Sequence, residues 1–127
     1  MSATTVTTKA KKKMVEARAG ISTLPTIVGM AFGTGGVNAN DVLVAHTESQ
    51  NALYNEVLRK VVDGYTVISD TKIRYACTIA SGDLANGTKI SEIGLYDSAG
   101  DFVALKSFTP KGIDTDMTTI FECDDSF

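Results

Sequence analysis

The stretch from Ile90 to Phe108, ISEIGLYDSAGDFVALKSF, constrains the fold more than any other part of the chain. Ile90, Glu92, Gly94 and Tyr96 alternate with Ser91, Ile93, Leu95 and Asp97. Further on, Phe102, Ala104, Lys106 and Phe108 alternate with Val103, Leu105 and Ser107. Period-two spacing of β-branched and aromatic residues suits a pleated, partly buried surface. Between the two runs lies Ser98-Ala99-Gly100-Asp101. Gly100 is free to take the positive φ of a short hairpin loop, and Asp97 and Asp101 are placed to bond local amides. The stretch reads as strand, turn, strand.

The flanking chain extends this pattern. Residues 1–7, MSATTVT, read as loose. Thr8 to Ala19, TKAKKKMVEARA, is rich in helix formers, with Thr8 placed to cap it and Gly20 to end it. Its apolar residues are few, so this helix needs a surface to lie against, on its own body or on another subunit. Leu24 to Phe32, LPTIVGMAF, is apolar on both faces, as in a strand covered on two sides. The glycine-rich loop after it leads to a short strand at Leu43–Ala45 and a one- or two-turn helix from Thr47 to Leu53. Asn55 to Ile68, NEVLRKVVDGYTVI, suits a strand or an amphipathic helix. Its β-branched residues, and the run KIRYACTIA beyond Ser69-Asp70, favour a long hairpin. Ser81–Thr88 is a loop, Pro110 and Gly112 are breakers, and Met117–Cys123 is a last strand.

The fold expected is mainly β, a small antiparallel β-sandwich or curled sheet of about six strands with one N-terminal helix. With 127 residues, one domain is the natural size. Residues 1–20 form a basic arm or helix, and residues 21–127 a single β-rich domain.

Reactive chemistry is thinly represented. His46 is the only histidine, so neither a zinc site nor a Cys–His dyad has a ligand set. Cys77 and Cys123 lie in strand-like runs and read as buried thiols. Gly33, Gly35 and Gly36 follow a strand, but Asn38 stands where a dinucleotide fingerprint needs its third glycine. Asp114, Asp116, Asp124 and Asp125 fit no calcium loop and read as solvated carboxylates. Ser81, Ser91 and Ser107 lack an elbow motif. Lysines 11–13 have no interleaved aromatics, which argues against nucleic acid. No apolar run approaches the ~20 residues of a membrane helix. No apolar segment follows the basic N-terminus as in a secretory signal, so synthesis is expected inside the cell. The expectation is a protein that is not an enzyme, with no cofactor, metal, membrane or small-molecule substrate.

Charge is unevenly placed. Lys9, Lys11, Lys12, Lys13 and Arg18 against Glu16 put +4 on residues 1–20, which leaves −7 on residues 21–127 of a chain whose net charge is −3. A basic arm on an acidic body suits contact between copies or with an acidic partner. Lys11, Lys12, Lys13 and Arg18 are the candidate interface.

Three segments carry a resemblance. Glu92-Ile93-Gly94-Leu95-Tyr96-Asp97, the turn with Gly100-Asp101 and Phe102-Val103-Ala104 follow the pattern E-x-G-L-[FY]-D…G-[DN]-L-[VI]-A. Leu53-Tyr54-Asn55-Glu56-Val57-Leu58-Arg59 is similar to L-x-N-E-V-Y-R, and Val28–Gly35 to an early strand with a glycine turn. In this order they resemble the N-terminal, tail-collar-type domain of tail-fibre proteins from contractile-tailed bacteriophages and phage-tail-like bacteriocins, over residues 20–125. The resemblance implies attachment: such a domain fixes a fibre, usually as an oligomer, to the baseplate. The chain stops at Phe127, where the family continues into a shaft and receptor-binding tip, and begins with a lysine-rich helix foreign to the domain. The expectation is therefore a stand-alone structural or adaptor subunit of the tail tip or baseplate, found in the virion and made in the host bacterial cytoplasm. Its partners would be other tail or baseplate proteins and further copies of itself. The alternative is a carbohydrate- or receptor-binding β-sandwich module, with Tyr54 or Tyr65 as its stacking residue; no Trp and four Tyr offer such a site little.

Overall fold

The alternating runs pair as two antiparallel sheets in the computed structural model, which describes residues 4–127. The described elements are β1 (Thr5–Val6), α1 (Thr8–Arg18), β2 (Ile27–Gly33), β3 (Glu56–Val61), β4 (Gly64–Ser69), β5 (Lys72–Ile79), β6 (Lys89–Asp97), β7 (Phe102–Gly112) and β8 (Thr119–Ser126). One sheet has the order β1-β7-β6-β2-β3, the other β4-β5-β8. The protein is thus mainly β with one N-terminal helix, and eight strands replace the six expected. Part of the difference is β1: residues 5–6, read as loose, pair with Leu105 and Ala104 of β7. Residues 1–3 of that segment lie outside the described residues.

The central hairpin is β6–β7. Its turn closes as the sequence indicates: Asp97 Oδ1 accepts from the amides of Ala99 and Asp101, and Gly100 has φ 86°. Two irregularities break its strict alternation. A register shift around Ser91 brings Ile90 onto the same core as Ile93 and Leu95. Another at Val103 moves Phe102 to the opposite face, beside Leu105. Pro110 does not end β7. It lies in the irregular stretch opposite Ser91 and beyond the two residues of β7 that β1 pairs, where the regular ladder is interrupted on one edge and absent on the other.

The run Asn55–Ile68 is neither a helix nor one strand. It splits at Val62-Asp63: the Val62 amide donates to Val28 O in the large sheet and the Asp63 amide to Ala76 O in the small one. β3 therefore pairs with β2, while β4 and β5 form the expected hairpin. β2 lies between β6 and β3, so both of its edges are paired, and both of its faces are buried, as its apolar sequence requires. Met30 and Phe32 point between the sheets with Cys77, Ile79, Phe121 and Cys123, where Phe32 packs on Phe121 at 5.1 Å between ring centroids. Ala31 points outward, against Leu53, Phe102 and Leu105.

Two elements cover that outer face. α1 starts one residue earlier than read: Thr7 is its cap, accepting from the Ala10 amide while its hydroxyl donates to Phe102 O at 2.7 Å. It ends as expected at Gly20, where the Ile21 and Gly20 amides bond Glu16 O and Ala17 O. The second element is the long loop of residues 34–55. The helix read at Thr47–Leu53 is a turn instead, and the strand read at Leu43–Ala45 is a single bridge from Val37 to Leu43.

Candidate functional site

A loop of this length without its own strands must be tied down by side chains. One carboxylate does most of it. Glu92 projects from the middle of β6 toward the loop and is fully buried. Its Oε2 accepts from the Gly35 amide at 2.9 Å and the Asn55 amide at 2.8 Å, so both ends of the loop close on one oxygen. Its Oε1 accepts from the Tyr54 amide at 2.8 Å and lies 2.9 Å from His46 Nε2, in the middle of the loop. The base closes further through the Thr34 amide to Asn55 O and Asn55 Nδ2 to Thr34 Oγ1. Burial alone would push the Glu92 pKa up. The bonds from His46 and from the Asn55, Tyr54 and Gly35 amides outweigh it and hold the carboxyl below its ordinary value.

His46 Nδ1 in turn lies 3.1 Å from Ser107 Oγ, whose hydroxyl donates to Val44 O at 2.6 Å. Serine, imidazole and carboxylate thus stand in line, as in a nucleophilic triad. All three are buried and the serine proton is taken by a main-chain carbonyl, so the arrangement fastens the loop to β6 and β7. Tyr54 is part of the same fastening: its ring stacks on His46 at 4.9 Å and its hydroxyl donates to Ala45 O.

A second convergence lies beside the first. The Tyr96 ring lies over Gly29, where a Cβ would come within 2.0 Å of the ring. The Arg59 guanidinium covers Tyr96 at 4.6 Å and Phe102 at 4.9 Å from the ring centroids, held by Glu56 at 2.9 Å. Replacing Arg59 with Ala is expected to lower stability by about 1–2 kcal/mol through the lost stacking and cover. Lys, which cannot stack as a plane, should recover less than half of that in a thermal melt.

The candidate interface residues divide. Lys13 is held by Asp97 at 2.6 Å and Asp101 at 2.8 Å, joined on Asp101 by Lys9. Lys11 pairs with Glu48 of the long loop. These contacts bind the arm to its own body. Lys12 and Arg18 make no ion pair among the described residues. Asp101 is held below the ordinary carboxyl range chiefly by its bond from Lys13.

The other residues singled out in the sequence are dispersed. Cys77 and Cys123 are buried free thiols, pushed up by burial to about 11 and about 12. Asp124 pairs with Arg74 at 2.8 Å, and Asp114 accepts from the Asp116 amide. Among the described residues no three His, Cys, Asp or Glu side chains are grouped to hold a metal ion, and no helix is long and apolar enough to cross a membrane. Sequence reasoning passed over Glu92 as a functional centre. Its only local sign was a charged residue inside an otherwise apolar strand. Comparison with protein-family models, curated proteins and solved structures returns no match for this chain.

Proposed function

We propose that the chain is a structural or adaptor subunit of a contractile phage tail tip or baseplate, or of a phage-tail-like particle, and that it organises tail fibres through protein–protein contacts. One observation carries the reading. The three segments that resemble the tail-collar domain meet in space at residues that belong to the resemblance: Gly35, Tyr54 and Asn55 close on Glu92, and Arg59 closes on Tyr96 and Phe102. A pattern whose members hold one another is a framework pattern. It supports a scaffold that presents a fixed surface, and it gives no support to a catalytic centre. The surface so presented comprises the long loop, with Val42 and Leu43 exposed, and the outer side of α1, with Lys12 and Arg18.

Mass spectrometry of tail particles purified from a producing culture tests this. The wild-type chain is expected in them at a fixed ratio to the other tail proteins. A chain carrying Lys12→Glu and Arg18→Glu, which leaves the arm's own ion pairs intact, is expected at less than a tenth of that ratio. Particles that lack the wild-type chain would overturn the proposal.

A further inference from the structure

The small sheet ends on β4, and that edge is unusual. Gly64-Tyr65-Thr66-Val67-Ile68-Ser69 bonds β5 on one side only, leaving a row of main-chain donors and acceptors open on the other. Tyr65 is 66% exposed and Val67 64%, although both lie on the side of the sheet that faces its companion, beyond the reach of β3. Soluble proteins blunt such edges with charge, proline, bulges or short strands. The other edges here follow the rule: β1 has two residues, β3 carries Glu56, Arg59 and Lys60, and β8 carries Glu122, Asp124 and Asp125. β4 carries no charge and no proline, and its one irregularity, between Val67 and Ser69, falls at its last residues and leaves Gly64–Val67 regular.

We infer that β4 is a dimerisation edge, on which β4 of a second copy pairs antiparallel to join two three-stranded sheets into one of six strands. The occupant follows from charge and symmetry. Residues 21–127 carry −7, so two bodies repel wherever their charged edges meet, and the uncharged strand is where they can approach. A strand paired with its own copy about a two-fold axis uses one surface twice and closes, where a head-to-tail contact would continue into a filament. Centred on Thr66, this register sets Tyr65 beside Val67 of the second copy on the overhanging face, an aromatic–β-branched pair that favours antiparallel strands. The inference rests on the edge strand alone and stands whether or not the chain is a tail subunit.

Light scattering on the purified full chain at low and high salt tests it. The expected mass is twice the 13.4 kDa of one chain at both salt levels, since the contact is apolar and main-chain. Val67→Lys and, separately, Tyr65→Lys are expected to halve that mass while keeping the wild-type circular dichroism spectrum. The combined replacement of Lys12 and Arg18 by Gln should leave it unchanged. In hydrogen exchange, the outward amides of Gly64–Ser69 should be protected in the wild type and fast in either lysine variant. A wild-type chain that stays single at the highest concentration it tolerates overturns the inference. So does an oligomer that both lysine variants leave intact, or one that only the arm variant dissolves.

Discussion

Replacing Glu92 with Gln is expected to remove about 3 kcal/mol of folding stability, and Glu92→Ala more, because buried donors are then left without acceptors. The carboxylate serves four donors with two oxygens, two on each. A glutamine has one carbonyl oxygen, and its NH2 must face the other pair. If it takes the place of Oε2, it confronts the amides of Gly35 and Asn55, neither of which can turn away. If it takes the place of Oε1, His46 Nε2 can accept with the ring proton held on Nδ1 against Ser107 Oγ, and only the Tyr54 amide is left unpaired. The second orientation should prevail, so the loss combines one orphaned amide with the weakening of two charge-assisted bonds to neutral ones. Urea unfolding should show a lower midpoint at an unchanged slope, and the melting temperature should fall by roughly 10 °C. A loss below about 1 kcal/mol would mean the carboxylate is not what closes the loop.

The same substitution has a pH test. The folded Glu92 pKa is lowered from its ordinary 4.5, so the unfolded chain takes up the proton first as pH falls. Glu92's contribution is complete above that ordinary value and is lost as pH drops through the folded one. Asp83, Asp101 and Asp124 are lowered too and weaken the fold in acid by the same sign, whereas Asp125, raised by burial, acts in the opposite sense. The quantity to measure is therefore the wild-type stability minus that of Glu92→Gln. It should be flat near neutrality and shrink in acid.

Local patterns were legible in the chain, and distant pairings were not. The β6–β7 turn could be read because every residue that makes it, Asp97, Gly100 and Asp101, lies within the turn. The same holds for the Gly20 cap and for the β4–β5 hairpin. Glu92 could be placed on a strand, but its donors lie 57, 46, 38 and 37 residues away, and period-two spacing carries no information about them. The resemblance motifs contained nearly all of the participants without saying that they touch. The arm's own partners were hidden for the same reason: a lysine run is visible locally, while Asp97 and Asp101 stand 84 and 88 residues from Lys13. The passage from β3 to β4 was obscured because β-branched residues run through the point where the chain changes sheets, and only Asp63-Gly64 marks it.

Gly36→Ala is expected to cost about as much as Glu92→Gln, roughly 3 kcal/mol, for a different reason. A Cβ at this position would lie 1.9 Å from Ser91 O and 2.6 Å from Ser91 C. Both are main-chain atoms of the central strand, at the irregularity where the loop docks, and no rotamer change relieves the clash. Nor can the loop retreat cheaply, since the Gly36 amide donates to Ser91 Oγ and its carbonyl accepts from Val44. Gly112→Ala, with nothing within 4 Å of its added Cβ, is the matched control and should be close to neutral. Gly36→Ala and Glu92→Gln both release the loop of residues 34–55, so the double variant should lose less than the sum of the single losses, by about 1 kcal/mol or more. Strict additivity would mean that the loop is held at two independent points and that Glu92 is not its common anchor. If the loop is a contact element of the particle, each variant should also lose incorporation at temperatures where the sheets remain folded, whereas Gly112→Ala should assemble normally.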